Sequence, residues 1–363
     1  MPLTVLNVAF ALAAVGPHAV GGAERILTDL DEALTEAGHQ SLVVACEGSR
    51  SRGQLFSFAL PRSGIVDDAV RREVPRQCRE AIQRALLSAP VDVVHLHGMD
   101  FDRYDLPEEI PTIVTLHLPL GWYPRGALER WSTRARFVCV SESQRRSWPA
   151  GAADPHSVAV VENGVAIPQQ WNAGERENFA LVLGRICPEK NQHEALEAGT
   201  MAGVPVFIGG HTFPYREHQD YFAKKIAPLL SSNEGNSCPQ HRFLESLRPE
   251  EKHDLLSRAR CVLHPTRAPE TSSLVAMEAL AAGTPVIAYR SGALPEIVED
   301  AVTGFLVDDA REMGEAIGKL DTLSRAACRA AAERRFSKER MVREYLRLYE
   351  SLARSRSRKV QYA

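Results

Sequence analysis

Four common catalytic or cofactor signatures are missing from the sequence. It has no Gly-x-Ser-x-Gly motif, no P-loop, no Gly-x-Gly-x-x-Gly and no Cys-x-x-Cys pair. These absences argue against a serine hydrolase with a nucleophile elbow, a P-loop nucleotidase and a zinc ribbon. The seven cysteines are scattered and lack zinc or disulfide spacing, so we expect reduced thiols in the cytoplasm.

Excess positive charge and long apolar runs are missing too. The formal net charge is −3, whereas a general nucleic-acid binder is normally basic, so no nucleic-acid partner is expected. No stretch reaches the roughly 18 apolar residues of a membrane span. The first residues carry no basic region, and Asn7 interrupts their apolar run. This segment is therefore predicted to be a buried strand and not a signal peptide.

The sequence does contain short β-branched runs that alternate with helical patterns along its 363 residues. Most of the runs are continuously apolar, which is typical of strands covered on both faces and therefore of parallel sheets. The clearest helix has a stripe of Ile26, Leu27, Leu30 and Leu34 and ends at Gly38. Length and alternation together predict two α/β domains, each a doubly wound sheet of the Rossmann type.

A polar segment rich in turn formers, residues 163–178, separates the two halves. We therefore place an N-terminal domain at residues 1–165 and a C-terminal domain at residues 166–335. Residues 336–363 are predicted to form an amphipathic helix with a basic, frayed end. That basic end suits either a solvated helix terminus, which we favour, or weak contact with anionic lipid.

Two glutamates stand out in the second half. Glu278 is the only charged residue between positions 271 and 289, in an Ala-rich stretch that predicts a buried helix. Pro269 and the Thr-Ser-Ser that follows favour a helix start near Ser272. Glu270 then lies above the helix N-terminus, where free N–H groups bind anions. A buried carboxylate needs a partner, which for Glu278 is either a ligand hydroxyl or an arginine or backbone amide.

Two cations follow a predicted strand in the same half. The strand ends at Gly184, and Arg185 and Lys190 come next, ahead of a helix. This position suits a diphosphate bound in the crevice of a parallel sheet. The alternative is a surface ion pair in which Lys190 bridges Glu189 or Glu194.

The first half carries weaker signals. Gly21 and Gly22 directly precede a helix, where glycines let backbone amides approach a phosphate or sugar closely. A glycine turn before a helix is common, so this pattern alone does not define a site. His117 follows another predicted strand and is either structural or catalytic.

Two further patterns are weighed as metal ligands and set aside. The pairs His95–His97 and Asp100–Asp102 lack a third ligand at convincing spacing. We expect these side chains to be solvated and predict no metal site.

In sequence order, these features resemble family 4 retaining glycosyltransferases, which have the GT-B fold. The most specific stretch is Glu270-x7-Glu278, followed by ALAAGTPVIA and SGALPEIVEDAVTGFLV. Other marks agree over nearly the whole chain: VGGAERIL, AGH, DVVHLHG, VTLH, CVSES, ENGV, VLGRICPEK and FSKERMVREYLRLYE. The resemblance implies two Rossmann-like doubly wound domains facing a central cleft, with the terminal helix crossing back to the N-terminal domain.

The resemblance also implies roles for the matching residues. Arg185 and Lys190 hold the donor diphosphate and neutralise the leaving group in place of a metal ion. Glu270 binds hydroxyls of the transferred sugar, and Glu278 binds the nucleotide ribose. The remaining implied contacts are the backbone amides of Ser273, Leu274 and Val275 on the phosphates, the Gly21-Gly22 turn over the donor, and His117 near the sugar.

One position departs from the family pattern. The usual Phe-Gly after the first glutamate is replaced by Ser272-Ser273. A serine at the glycine position still offers its N–H, but it does not adopt positive φ freely. We therefore expect the phosphate geometry to differ locally from that of the family.

The resulting expectation is a cytoplasmic, metal-independent glycosyltransferase that needs no cofactor beyond its nucleoside-diphosphate-sugar donor. A UDP-sugar is favoured, and GDP-mannose stays open. The acceptor is a glycan, a lipid-linked sugar or a small metabolite, with peripheral contact at the inner membrane face through the basic tail. Two alternatives remain: a nucleotide-sugar 2-epimerase of the same fold and a non-catalytic nucleotide-sugar binding protein.

Overall fold

The computed structural model describes residues 2–19, 21–60, 68–152, 158–171, 174, 176–231 and 239–361, apart from the side chains of 68–72 and 357–361. Two compact units make up the chain. The N unit comprises Met1–Asn163 and Glu339–Ala363, and the C unit comprises Gly164–Lys338. Sequence analysis sets the corresponding limits at residues 165 and 335.

A parallel sheet of seven strands forms the centre of the N unit, in the order β3-β2-β1-β4-β5-β6-β7. Its strands are β1 (Thr4–Val8), β2 (Gln40–Cys46), β3 (Gln54–Phe58), β4 (Val93–Leu96), β5 (Thr112–Leu116), β6 (Ala135–Cys139) and β7 (Ala159–Val160). The helices between them are α1 (Gly22–Glu36), α2 (Asp68–Ser88), α3 (Ala127–Trp131) and α4 (Glu142–Arg146).

The C unit repeats this architecture with six parallel strands in the order β10-β9-β8-β11-β12-β13. They are β8 (Ala180–Leu183), β9 (Val206–Gly209), β10 (Arg242–Phe243), β11 (Cys261–His264), β12 (Val286–Tyr289) and β13 (Gly304–Val307). The helices are α5 (Gln192–Ala202), α6 (Arg216–Tyr221), α7 (Ala227–Ser231), α8 (Pro249–Arg258), α9 (Leu274–Ala281), α10 (Leu294–Ile297), α11 (Ala310–Ile317) and α12 (Arg325–Arg335).

Both strand orders are those of a doubly wound sheet, so the predicted fold class of each domain is confirmed. The continuously apolar runs are the central strands: every residue of β4 and β5 is buried. Sequence analysis missed β3, because Gln54 and Ser57 break its apolar run and leave it half-exposed at the edge of the sheet.

The last helix, α13 (Lys338–Gln361), packs on the N unit. Tyr345 and Tyr349 are fully buried there, and the hydroxyl of Tyr349 lies 2.7 Å from Nδ1 of His95. The helix continues to Gln361, through most of the basic segment that was predicted to fray. Arg356 contributes to this by donating to the carbonyl of Val91 at 2.7 Å. Among the described residues, no helix combines the length and apolar character needed to cross a bilayer.

Candidate functional site

The strand order of the C unit reverses between β8 and β11, which are hydrogen-bonded neighbours. The chain leaves these strands towards opposite faces of the sheet, so a crevice opens beyond their carboxyl ends, where doubly wound sheets bind ligands. Arg185 and Lys190 follow β8, and Glu270 follows β11. Three of the four most specific predicted residues therefore lie at this switch point.

The segment after β8 is held by side chains of the next helix. Residues Pro188–Lys190 form a single 3-10 turn, and Asn191 follows it in the left-handed region with φ 56°. Gln192, the first residue of α5, donates from Nε2 to the carbonyl of Arg185 at 2.6 Å. Both Asn191 and Gln192 are buried, and their hydrogen bonds hold the backbone of the segment that carries Arg185 and Lys190.

Hydrogen bonds join this segment to the one that follows β11. The carbonyl of Glu189 accepts from the amide of Arg267 at 3.0 Å and from Oγ1 of Thr266 at 3.1 Å. Nδ2 of Asn191 donates to the carbonyl of Pro265 at 3.1 Å. These bonds bring residues that are far apart in the sequence to one place at the edge of the sheet.

The result is an ion pair between Lys190 and Glu270. Lys190 Nζ lies 2.5 Å from Glu270 Oε2, with 25% and 16% of the two side chains exposed. Burial alone would raise the pKa of the Glu270 carboxyl, but the charge of Lys190, followed by smaller contributions that include Arg185, holds it below its ordinary value. Glu270 is therefore an ionised hydrogen-bond acceptor at neutral pH.

The surface-pair alternative for Lys190 was wrong. Glu194 instead pairs with Arg267 and accepts a hydrogen bond from the hydroxyl of Tyr289. The side chain of Arg185 is exposed and makes no hydrogen bond or ion pair with the part of the chain that the structure describes. Its charge contributes to the lowered pKa of the Glu270 carboxyl, so the guanidinium acts on the Lys190–Glu270 pair.

His264, the last residue of β11, is a buried neighbour of Glu270 and of Ser273. Its Nε2 lies 2.8 Å from Oγ of Ser273 and 4.0 Å from Oε2 of Glu270. Burial lowers the pKa of His264 from 6.5 to about 4, so the ring is neutral at pH 7. The same hydroxyl of Ser273 caps α9 by accepting from the amide of Ala276 at 3.2 Å.

Ser273 stands where the family usually has glycine, and in this structure it caps the helix. Its backbone is extended, with φ −104° and ψ 97°, so no positive φ is required of it. The helix begins at Leu274, two residues later than predicted. By position, the amides of Leu274 and Val275 belong to the first turn of α9, whose N–H groups have no acceptor within a helix.

The glycine that the local geometry does require is Gly292. It has φ 56°, and a Cβ at this position would overlap the backbone of Glu270. The neighbouring amide of Ala293 donates to the carbonyl of Glu270 at 2.7 Å. The turn after β12 therefore packs closely against the backbone of Glu270 and helps to fix its position.

Glu278 pairs with a lysine, whereas the sequence analysis offered a ligand hydroxyl, an arginine or a backbone amide as its partner. Lys252 Nζ, on α8, lies 2.8 Å from Glu278 Oε1, with 25% and 11% of the two side chains exposed. The pairing explains how a largely buried helix tolerates a lone carboxylate. It leaves the ribose role of Glu278 a prediction.

The remaining predicted residues lie in the N unit, also at the carboxyl edge of its sheet. Gly21 is the N-cap residue of α1, and Gly22 is the first residue of that helix. His117 directly follows β5, and burial lowers its pKa to about 4. Its Nε2 lies 3.2 Å from Nδ1 of His97.

The expectation that His95, His97 and the two aspartates are solvated was wrong for most of them. His95 lies in β4 and His97 directly follows it; both are buried, and burial lowers both pKa values well below 6.5. Asp100 is also buried and accepts a hydrogen bond from the hydroxyl of Tyr104 at 2.6 Å. Asp102 pairs with Arg130 at 2.8 Å.

Sequence reasoning therefore missed Lys252, His264 and Gly292. Lys252 lies in an ordinary amphipathic helix, and no spacing connects it to Glu278. His264 is the last residue of β11 and His117 directly follows β5, so the position of His264 at the end of an apolar run was a usable signal. Gly292 lies within the quoted SGALPE stretch, but only the fold reveals its contact with Glu270.

Comparisons with known proteins agree with this architecture. The family model described as Glycosyltransferase Family 4 matches residues 20–167, and the model described as Glycosyl transferases group 1 matches residues 166–335. The chain therefore belongs to the family 4 glycosyltransferases, which have the GT-B fold.

Two curated relatives illustrate the range of similarity. A D-inositol 3-phosphate glycosyltransferase of Nocardioides sp. is 32% identical over 54% of this chain and 49% of its own length. A phosphatidyl-myo-inositol mannosyltransferase of Mycobacterium leprae is 27% identical over 94% of this chain and 96% of its own length. The chain thus spans about half the length of the first relative and nearly all of the second.

Solved structures share the fold at low identity. A sucrose-phosphate synthase from Thermosynechococcus elongatus has a TM-score of 0.75 and 19% identity, covering 97% of this chain and all of that one. Anabaena HepE in complex with UDP-glucose has a TM-score of 0.71 and 18% identity, covering 96% of this chain and 99% of that one.

Proposed function

We propose that the protein transfers a sugar from a nucleoside-diphosphate sugar to a hydroxyl acceptor, with retention of configuration at the anomeric carbon and without a metal ion at the transfer site. The observation that carries the proposal is the cluster of Arg185, Lys190 and Glu270 at the switch point of the C unit. It joins two cations and one ionised carboxylate at the edge where doubly wound sheets bind nucleotides.

The donors of this cluster are suited to a diphosphate. The ammonium of Lys190 has three N–H groups, so two remain after its bond to Glu270. The exposed guanidinium of Arg185 adds a planar pair of donors of the kind that binds phosphate oxygens in a bidentate manner. The first-turn amides of α9, at Leu274 and Val275, supply further donors and the positive end of a helix dipole.

In the proposed reaction, the bond between the anomeric carbon and the diphosphate breaks towards Arg185 and Lys190. The acceptor oxygen bonds to the same face of the sugar, and its proton passes to the departing phosphate oxygen. Charge develops on that oxygen, where the two cations stabilise it without a metal ion. No covalent intermediate on the protein is needed.

The carboxylates are assigned to the hydroxyl groups of the donor. Lys190 occupies Oε2 of Glu270, which leaves Oε1 to accept from a hydroxyl of the sugar. Glu278 is assigned to the ribose, with Lys252 holding its other oxygen. The roles implied for Gly21, Gly22 and His117 stay predictions.

We favour a UDP-sugar as the donor. HepE, which shares the fold, was solved with UDP-glucose, whereas the Mycobacterium leprae relative is named a mannosyltransferase, so GDP-mannose remains the second donor to test. Both curated relatives are named for inositol-containing compounds. An acceptor screen therefore begins with inositol phosphates and inositol lipids and extends to glycans.

The deciding experiment is incubation of the purified protein with UDP-glucose or GDP-mannose, with and without each acceptor. The proposal predicts nucleoside-diphosphate release that depends on the acceptor. A change in the configuration of the sugar in the absence of any acceptor would indicate a 2-epimerase instead. Donor binding without turnover on any acceptor would indicate a non-catalytic binding protein.

A further inference from the structure

A second cluster of reactive side chains lies beside the segment that carries Arg185 and Lys190. It consists of Cys187, Glu189 and His218. Each residue offers one ligand atom, and the three atoms lie within 4.8 Å of one another. We propose that these three residues form a binding site for a borderline-soft divalent metal ion, and that Zn²⁺ is the ion that suits it best. The site is distinct from the proposed diphosphate site and does not depend on it.

Two elements carry the three ligands: Cys187 and Glu189 lie in the segment of the 3-10 turn, and His218 lies in α6. Cys187 is buried, with extended backbone, directly before the 3-10 turn that contains Glu189. The backbone of Glu189 is fixed by its two bonds to Thr266 and Arg267. His218 lies in α6, where only 7% of its surface is exposed.

The imidazole of His218 supplies an independent sign of a ligand. Its Nδ1 is buried and has no hydrogen-bond partner among the residues that the structure describes. An unpartnered ring nitrogen is unfavourable in a protein interior, and metal coordination would use its lone pair. Edge contacts with the rings of Phe213 and Tyr215 keep the imidazole in place.

The donor set selects the class of ion. One thiolate, one imidazole and one carboxylate match the ligands of zinc sites that keep a fourth, open position. Mg²⁺ and Ca²⁺ prefer oxygen ligands, of which this cluster offers a single carboxylate. Zinc–ligand bonds of roughly 2.0–2.3 Å require the ligand atoms to be about 3.5 Å apart, and these atoms already lie within 4.8 Å of one another, so any approach needed is at most about 1.3 Å. Glu189, which is only half-buried, has the freedom to make that approach.

Proton release should accompany binding. A cysteine coordinates a metal ion as the thiolate, so its thiol must lose a proton when the ion binds. A bound cation would displace that proton, so affinity should rise with pH. Because Cys187 and Glu189 lie between Arg185 and Lys190 in the chain, the ion would also tie α6 to that segment.

The test is a titration of the metal-free, full-length protein with Co²⁺, followed by displacement with Zn²⁺. We expect roughly one equivalent of Co²⁺ to produce a thiolate-to-cobalt charge-transfer band and the visible bands of a tetrahedral centre. Cys187→Ser should abolish the charge-transfer band and weaken Zn²⁺ binding at least tenfold. His218→Gln should weaken binding similarly, while Mg²⁺ in large excess should not displace Co²⁺.

His253→Gln is the matched control, because His253 is an exposed histidine of the same unit outside the cluster. This variant should bind Zn²⁺ as the wild type does. The proposal is overturned if the wild type shows no charge-transfer band, or if the band persists in Cys187→Ser with the circular dichroism spectrum unchanged. Binding that is lost in His253→Gln and kept in the other two variants would identify an adventitious ion only.

Discussion

Lys190 Nζ and Glu270 Oε2 lie 2.5 Å apart, although 80 residues separate them in the chain. The pair forms because β8 and β11 are neighbours in the sheet and because the segments that follow them are hydrogen-bonded to each other. A cation and a carboxylate are thereby held together, which suits the proposed donor, because a diphosphate joined to a sugar presents an anion beside hydroxyl groups. Each prediction below tests one part of this arrangement.

Lys190→Ala should lower turnover by about 10²- to 10³-fold, because the leaving diphosphate loses one of its two stabilising cations. Both partners keep some exposure, so we expect the free energy of unfolding to fall by no more than about 2 kcal/mol. Initial rates and urea unfolding measure the two effects. The control is Lys224→Ala, which removes an exposed lysine paired with Asp220 and should leave the rate unchanged. Wild-type turnover in Lys190→Ala would exclude the diphosphate role.

Gly292→Ala should reduce both stability and turnover. The position has φ 56°, and the added Cβ would overlap the backbone of Glu270, so the carboxylate must move. Gly203→Ala is the matched control, with φ 68° and open space around the added atom. We expect about 1 kcal/mol of left-handed strain in the control and a normal rate. Equal rates in the two variants would show that the position of Glu270 does not matter for transfer.

The pKa of His264 predicts a pH dependence of stability. Burial lowers this pKa from 6.5 to about 4 in the folded protein. As pH falls below 6.5, the unfolded chain takes up a proton that the folded protein refuses, so the free energy of unfolding decreases until about pH 4. A single group of this kind changes the free energy of unfolding by at most about 1.4 kcal/mol for each pH unit.

His264→Gln should therefore flatten the dependence of the unfolding free energy on pH between 6.5 and 4, as measured by urea unfolding. His253→Gln, which removes an exposed ring, should leave the slope as it is in the wild type. An unchanged slope in His264→Gln would mean that this ring is protonated in the folded protein within that range.

Glu278→Gln should weaken binding of a nucleoside diphosphate by about 10- to 100-fold, because a charged acceptor for the ribose is lost. Lys252→Met keeps the carboxylate and should reduce affinity less, although it leaves Glu278 without this cation and lowers stability. Calorimetric titration of both variants separates the two roles. If both lose stability and neither loses affinity, Glu278 serves only to pair with Lys252.

The sequence predicted the fold well because fold class follows from local patterns. Continuously apolar runs such as β4 and β5 indicate buried parallel strands without knowledge of any partner. Arg185, Lys190 and Glu270 were identifiable because each directly follows such a run or precedes a helix. A residue's position relative to its own strand is a local property, and it determines the edge of the sheet at which the side chain lies.

Partners that approach from another part of the chain were not predictable in the same way. Nothing near Lys252 indicates that α8 places it against Glu278, and nothing near Gly292 indicates that its turn supports Glu270. The replacement of Phe-Gly by Ser272-Ser273 led to the expectation that the phosphate geometry differs locally, because serine does not adopt positive φ freely. The structure places Ser273 in extended backbone as a helix cap, a role that serine performs well, and the phosphate geometry stays a prediction.

The central claim is that Arg185 and Lys190 bind the diphosphate of the donor, and the most direct test is a calorimetric comparison of UDP with uridine. The wild type and the Arg185→Ala/Lys190→Ala double variant are titrated with both ligands, and GDP with guanosine is used if uridine compounds do not bind. We predict that the wild type binds the diphosphate at least 100-fold more tightly than the nucleoside, and that the double variant loses most of this difference while its affinity for the nucleoside is kept. An equal preference for the diphosphate in both proteins would contradict the claim.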